Sequence, residues 1–361
     1  MRALITILDN ITETSMPFHE FVLYRARHYL DEKQILIICG PKAELPSVGI
    51  PKSLEIIYSG RRLINIRKTI KRQLAKLENA HIPYAVHIHQ VQSGFLSELS
   101  MLGTGFRKKV LFTVHSTFSG YKFHNQFLSI VNSFLANQIT CVSHTSYIDY
   151  PRIIKLIKGK RIQPLQNGVD TERIDNTLAT TGPIIHDGCT FIYVARLIPL
   201  KNHLFLIHVL KQCDKRVHFV FVGAGESEKA IRQKADELEV ADRIAFTGLI
   251  PRPSVYRMLQ AADFYISSST LEGLPVSVLE AMYSGLLCVL SDIPQHREIA
   301  GYEAVILPND AKKWAQEINR LIVLSQDQRE RMSHQIRTYA GENFSLLAMH
   351  KKYDAVYSML R

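Results

Sequence analysis

Glu272-Gly273-Leu274-Pro275-Val276-Ser277-Val278-Leu279-Glu280 is the stretch on which the reading of this chain turns. It follows Ser267-Ser268-Ser269-Thr270, the polar end of an apolar run with the character of a buried strand. Gly273 admits backbone conformations that side-chain-bearing residues resist. Pro275 suits the first turn of a helix, where its missing N–H has no intrahelical partner to lose. Val278, Leu279 and Met282 continue an apolar face beyond it. The stretch reads as strand, tight polar loop and helix start, with one carboxylate in the loop and another within the helix. Backbone N–H groups and the positive end of a helix can face an anion at such a place. Two carboxylates nearby can accept hydrogen bonds from hydroxyls. A ligand with both phosphates and hydroxyls is a nucleotide sugar.

Glu-x7-Glu, with Gly-Leu-Pro behind the first Glu, resembles the signature of family 4 glycosyltransferases, which are retaining enzymes of the GT-B fold. Val194-Ala195-Arg196-Leu197, followed by Lys201-Asn202, resembles the family's diphosphate-binding segment. Asn167-Gly168-Val169-Asp170 resembles its interdomain stretch. Glu-x7-Glu alone is a weak signal, whereas three matches in the expected order, among alternating strand and helix patterns, are specific. The resemblance implies an α/β protein of two Rossmann-like domains facing a central cleft. Residues 1–170 would be an acceptor-binding N-domain and 171–187 a linker. Residues 188–340 would bind the nucleotide sugar, and 341–361 would be a helix crossing back to the N-domain.

Composition agrees with a globular enzyme. A chain of 361 residues, 46% apolar, can bury two substantial cores. No apolar run approaches the ~20 residues of a membrane-spanning helix. Ala3-Leu4-Ile5-Thr6-Ile7-Leu8 is short for a secretory signal and reads as the first strand. Five cysteines, neither paired nor at metal-ligand spacing, fit a reducing cytosol. The net charge of +11 is uneven, with +10 of it in residues 1–180. Arg61, Arg62, Arg67, Lys68, Lys71, Arg72 and Lys76 concentrate it, interleaved with Leu63, Ile66, Ile70, Leu74 and Leu77 near helical spacing. Two readings stand: a packed helix with a basic solvent face, or a face for an anionic membrane or lipid-diphosphate acceptor. Nucleic acid is not expected, because interleaved aromatics and a recognised binding module are absent. A cytoplasmic enzyme at the inner membrane surface fits these features.

Along the N-terminal half, the loop Asp9–Pro17 lacks the adjacent glycines common in the resembled family, which leaves donor placement open there. Asn10, Thr12 and Ser15 offer hydrogen bonds, as surface-loop residues also do. His115 follows an expected strand at 109–114 and matches a histidine frequent in the family's N-domain site. The resemblance implies binding or polarisation near the sugar and phosphates, and the alternative is a structural loop histidine. His87 and His89 alternate along a strand without a third ligand, so no metal site is expected. Residues 121–136 read as a helix, with Phe123, Phe127, Ile130, Phe134 and Leu135 available for a core face.

In the second half, Arg196 and Lys201 match the diphosphate-binding cations and would also stabilise the departing diphosphate. Gly223 and Gly225 follow a strand, allowing either close nucleotide approach or a turn needed for packing. Ile250 lies in a loop resembling the base-binding region, while Arg252 has no assignment. The resemblance gives Glu272 the sugar hydroxyls, with Gly273 and Leu274 presenting backbone groups, and gives Glu280 the ribose. A glycosidase-type acid/base pair is the rival reading of the two carboxylates. The implied enzyme is a hexosyltransferase of class EC 2.4 with no required cofactor. It would move a hexose or N-acetylhexosamine, UDP being the expected carrier, onto a lipid-linked or oligosaccharide acceptor in bacterial surface-glycan assembly. A nucleotide-sugar epimerase and a noncatalytic glycan- or membrane-binding protein are the alternatives.

Overall fold

The computed structural model describes residues 2–10, 17–40, 50–178, 188–301 and 304–360. Thr12, Ser15 and residues 179–187 of the expected linker lie outside these. The chain divides into two compact units, Met1–Gly168 with Leu346–Arg361, and Val169–Ser345.

Unit 1 opens with β1 (Arg2–Leu8), α1 (Pro17–His28), β2 (Glu32–Ile38) and β3 (Leu54–Tyr58). α2 (Leu63–Asn79), β4 (Tyr84–Ile88), α3 (Val91–Ser100) and β5 (Val110–Val114) follow. α4 (Phe123–Leu135), β6 (Gln138–Cys141), α5 (His144–Asp149), α6 (Arg152–Lys158) and β7 (Ile162–Pro164) complete the run. The seven strands form one parallel sheet in the order β3-β2-β1-β4-β5-β6-β7. Near-continuous apolar runs such as Ile35-Leu36-Ile37-Ile38 suit strands covered on both faces. On one face Ile66, Ile70, Leu74 and Leu77 of α2 pack over Ile5, Val86 and Phe112. Strand order reverses between β1 and β4, so the loops after them, at Asp9 and at His89-Gln90, flank the crevice where open α/β sheets take ligands.

The helix expected at 121–136 is α4, but its orientation differs from expectation. Phe123, Phe127 and Phe134 are exposed, and the buried face carries Ser129, Asn132 and Ser133. Two features exclude the phenylalanines from the interior. A Cβ on Gly94 of α3 would lie 2.8 Å from Asn132 Nδ2, so the two helices approach too closely for large side chains. The buried Tyr150 hydroxyl lies 2.7 Å from Ser129 Oγ and 2.6 Å from Ser133 Oγ, which satisfies a group that is costly to bury alone.

Unit 2 begins with α7 (Thr171–Leu178), which corrects the expected linker over that span. β8 (Cys189–Val194), α8 (His203–Leu210), β9 (Val217–Val222), α9 (Glu228–Glu237), β10 (Ile244–Gly248) and α10 (Arg252–Ala261) follow. Next come β11 (Phe264–Ser267), α11 (Val276–Tyr283), β12 (Leu287–Ser291), α12 (Pro294–Ile299), β13 (Val305–Leu307) and α13 (Ala311–Leu321). The six parallel strands take the order β10-β9-β8-β11-β12-β13, which reverses between β8 and β11. α14 (Gln326–Phe344) starts at a capping box of Ser325 and Gln328 and belongs wholly to unit 2. Residues 341–344 therefore do not begin the returning helix. Extended Ser345 (φ −70°, ψ 154°) breaks the run, and α15 (Leu346–Ser358) follows in unit 1.

α15 completes the second face of the unit 1 sheet. Leu346, Met349, Tyr353, Val356 and Tyr357 pack with Leu4, Phe21, Leu36 and Leu111. A buried charge cluster fixes it further: Arg25 Nη2 donates to Glu32 Oε2 at 2.9 Å and to Asp354 Oδ1 at 2.7 Å. Among the described residues no helix is long and apolar enough to cross a membrane.

Candidate active site

The loops after β8 and β11 leave the sheet on either side of its reversal point, and side-chain chemistry joins them. Tyr193, near the end of β8, is fully buried, and its hydroxyl donates to Lys201 O at 3.1 Å and lies 2.7 Å from Ser269 Oγ. Ser268 Oγ donates to the carbonyls of Lys201 and Asn202 at 3.1 and 3.0 Å. Thr270 N–H donates to Leu200 O at 2.9 Å. The Ser-Ser-Ser-Thr run therefore holds the turn Pro199–Lys201 against the start of the Glu272 loop. Asn202 closes that turn in the left-handed region (φ 53°), a conformation Asn tolerates better than most residues.

This arrangement brings Lys201 Nζ into an ion pair with the Glu272 carboxylate. Their side chains are 18% and 12% exposed, so the pair sits in a lower dielectric than a surface pair. An ammonium has three donors, and one on Glu272 leaves capacity for phosphate oxygens. Arg196, one residue beyond Ala195 in the same loop, is exposed and has no ion pair among the described residues. Burial pushes the Tyr193 hydroxyl well above its usual range, and the Glu272 charge adds to this. His296 is buried behind the pair, with Nδ1 2.9 Å from Ser291 O and Nε2 3.4 Å from Ser267 Oγ. Burial lowers its pKa and keeps it neutral.

Gly223 and Gly225 pack against the Arg196 loop. A Cβ on Gly223 (φ +138°) would stand 2.1 Å from Ala195 O, and one on Gly225 2.3 Å from Leu197 O. Leu197 N–H donates to Ala224 O at 3.0 Å, and Ser227 N–H to Leu197 O at 2.9 Å. Both glycines thus seat the cation-bearing loop on its neighbour. Gly273 is absent from the described glycines with positive φ, so the conformational latitude expected there is not used. Pro275 occupies the N-cap of α11, just before its first turn.

Glu280 is 1% exposed on α11, with Arg252 and Tyr256 of α10 both donating to its Oε1, the tyrosine at 3.3 Å. Arg252, left unassigned by the sequence, therefore supplies the charge that a buried carboxylate demands. The demand is legible in sequence, but the partner's position, 28 residues away, is not. Tyr193 was equally hidden, as one aromatic among many in strand cores. Ile250 and Leu274 lie in the loops ahead of α10 and α11, Ile250 half-buried and Leu274 buried.

In unit 1, His115 follows β5, and its Nε2 lies 3.1 Å from His89 Nδ1. Burial pushes its pKa down to about 3, so it presents a neutral imidazole. The rings of His87 and His89 lie 3.7 Å apart, and His87 is held by Tyr357 and Thr113 hydroxyls at 2.7 Å each. Among the described residues no group of histidines, cysteines and carboxylates is arranged to hold a metal. The residues of the basic run separate: burial raises the Asp9 pKa at the end of β1, and the charge of Arg61, just ahead of α2, opposes that rise. Lys71 and Arg72 stand ~15 Å along the helix from Arg62, at 1.5 Å per residue. Arg62, Lys68, Lys71 and Arg72 are exposed, whereas Arg67 donates to Ser100 O at the end of α3.

Two Rossmann-like parallel sheets in one chain are the architecture of the GT-B fold. The sequence narrows this class. Residues 20–173 match the model of Glycosyltransferase Family 4, and residues 181–339 that of Glycosyl transferases group 1. The chain belongs to the family 4 glycosyltransferases and is a sugar-transferring enzyme of class EC 2.4. EpsF of Bacillus subtilis is 27% identical over 86% of this chain and 81% of its own. A GDP-mannose:cellobiosyl-diphosphopolyprenol alpha-mannosyltransferase of Xanthomonas campestris is 22% identical over 73% of this chain and 70% of its own. A UDP-Gal:alpha-D-GlcNAc-diphosphoundecaprenol alpha-1,3-galactosyltransferase of Escherichia coli is 24% identical over 67% and 64%. The solved structure of Anabaena HepE with UDP and glucose shares the fold, with a TM-score of 0.74, 14% identity and coverage of 99% and 100%.

Proposed function

We propose that this enzyme transfers a hexose or N-acetylhexosamine from a UDP-sugar to a lipid-linked or oligosaccharide acceptor, with retention at the anomeric carbon. The observation that carries the reading is the opposition of Lys201 and Glu272 at the reversal point of unit 2, beside exposed Arg196. A donor's diphosphate takes Arg196 and the remaining donors of Lys201, its sugar hydroxyls take Glu272, and its ribose takes Glu280. UDP is favoured by the E. coli relative and by HepE, and lipid-linked acceptors by the E. coli and Xanthomonas relatives. Polyprenol-linked relatives also favour bacterial surface-glycan assembly.

In this reading the bond from the anomeric carbon to the diphosphate oxygen breaks, with both electrons leaving on the diphosphate. Arg196 and Lys201 stabilise the developing charge. The acceptor oxygen bonds to the anomeric carbon on the same face, and its proton passes to the departing phosphate oxygen. No side chain serves as nucleophile.

The test is nucleotide binding by calorimetry across UDP, UDP-sugars, GDP and GDP-sugars. Saturable binding to the UDP set is expected, weakened about tenfold or more in Arg196→Ala, the loss of a charge-assisted phosphate contact. Preference for GDP-sugars would replace the assigned donor. No saturable binding to any nucleotide by the folded chain would overturn the reading.

A further inference from the structure

The ends of β8, β11 and β12, neighbours in the unit 2 sheet, are tied together by hydrogen-bonded hydroxyls that lead to His296. Tyr193 lies on β8, Ser267 closes β11 with Ser269 just beyond it, and Ser291 closes β12. A hydroxyl has one proton, so the direction of each bond can be followed. The Ser291 hydroxyl donates to Ser269 O, which leaves Ser291 Oγ as an acceptor only. His296 Nδ1 lies 2.9 Å from Ser291 O and 3.1 Å from Ser291 Oγ. A carbonyl oxygen cannot donate, so Nδ1 carries the ring proton and shares it between the two Ser291 oxygens. Burial keeps the ring neutral, and Nε2 is left as an acceptor 3.4 Å from Ser267 Oγ. Tyr193 gives its proton to Lys201 O, so Ser269 Oγ, 2.7 Å away, donates to the tyrosine.

Ser269, fully buried and three residues before Glu272, is therefore gripped at both of its side-chain and carbonyl oxygens. The contacts fall on two sides. Those from Tyr193, Ser268 and Thr270 join the Glu272 loop to the Lys201 turn. The one from Ser291 ties the root of the loop to the strand on its other side. The ion pair at the loop's tip does not by itself set where the carboxylate stands, because an ammonium on a flexible four-carbon stem follows its partner. The root must do so, and His296 holds the Ser291 end of that root.

We propose that His296 is a positioning residue: through Ser291 it fixes the root of the Glu272 loop, and so the place where Glu272 meets the donor's sugar. It rests on the reading in which Glu272 takes the sugar hydroxyls. Loss of His296 then acts on the sugar end of the donor and not on the nucleotide end. The test is calorimetry of the full chain with UDP, UDP-glucose, UDP-galactose, UDP-N-acetylglucosamine and UDP-N-acetylgalactosamine. The quantity read is the affinity for the sugar nucleotide that the wild type binds tightest, divided by the affinity for UDP. His296→Leu should lower this ratio about tenfold, the loss of a hydrogen bond to a charged group, with UDP affinity near the wild-type value. Ser291→Ala removes one hydroxyl and little packing, and serves where His296→Leu fails to fold. It should lower the ratio similarly, and the double variant no further, because both act through one contact. His296→Asn, whose amide nitrogen stands where Nδ1 does, should restore most of the ratio. His296→Gln, whose amide stands nearer Nε2, should not. A role in folding alone lowers both affinities together, and that result would overturn the inference. So would an unchanged ratio in Ser291→Ala, additive losses, or equal rescue by Gln and Asn. A wild type that binds only GDP-sugars would change the donor and leave the same ratio, taken over GDP, to decide. One that binds no nucleotide would remove the donor reading and this inference with it.

Discussion

Lys201 and Glu272 stand 71 residues apart in sequence, and each has a meaning alone as a phosphate cation or a hydroxyl acceptor. Their pairing makes them one unit. In the unliganded protein each offsets the desolvation of the other, and a substitution on either side leaves its partner half-buried and uncompensated. Lys201→Met and Glu272→Gln should therefore be strongly non-additive in kcat/KM. A double-mutant cycle is expected to give a coupling of about 1–3 kcal/mol. Simple additivity would show that the ion pair does not couple the two side chains. Glu272, Glu280, Arg196 and Lys201 are all legible as motif residues, because each lies in a β→α loop or in the helix that follows it, within a short local stretch. Arg252, Tyr256 and the Tyr193 hydroxyl were not, since a partner reached across two elements leaves no spacing in the sequence.

At the level of elements, the glycine loop after β9 shows how packing positions chemistry. Gly223 and Gly225 were read with two alternatives, and the structure puts both against the backbone of residues 195–197. Gly223→Ala must displace the Ala195 carbonyl, and Arg196 with it. It should destabilise unit 2 by about 1–3 kcal/mol and weaken UDP binding in parallel. Gly60→Ala is the control, because Gly60 also has positive φ (+68°) but open space around its Cβ position. That change should cost about 1 kcal/mol and leave nucleotide affinity unchanged. Chemical denaturation with calorimetry on the same samples separates the two. A Gly223→Ala protein with wild-type UDP affinity would show that the loop does not set Arg196.

Across the whole molecule, buried neutral histidines set the acid limit of stability. His203 is 2% exposed, stacks on Tyr193 at 4.6 Å between ring centroids, and has its pKa pushed by burial from 6.5 to about 3. His87, His89 and His350 are lowered in the same direction by burial. Between these two pKa values the unfolded chain binds a proton that the folded chain refuses. The His203 contribution is therefore complete above pH ~6.5 and falls as pH drops toward 3, by about 1.4 kcal/mol per pH unit, and the other three act in the same direction. The melting temperature should decline from about pH 7 to pH 5, and His203→Phe, which keeps the stack, should make the decline shallower by about 2 kcal/mol. An unchanged slope in that variant would mean that His203 is protonated in the fold.

The sequence by itself determined the alternation of strands and helices, through local periodicity and turn chemistry. Its short motifs carried the resemblance that implied the two-sheet class and the loops of the candidate site. The sense of α4 was beyond it. A stripe of Phe123, Phe127 and Phe134 at helical spacing fixes that the helix has an apolar side, not which way that side faces. Tertiary structure decided this, because close approach at Gly94 and the hydroxyl of Tyr150 demanded small polar side chains inside. It also decided where one unit ends: the break falls at Ser345 rather than at residue 341, and α15 leaves to fill the second face of the unit 1 sheet. Burial and hydrogen-bond satisfaction are properties of neighbours, and neighbours distant in sequence exist only once the chain has folded.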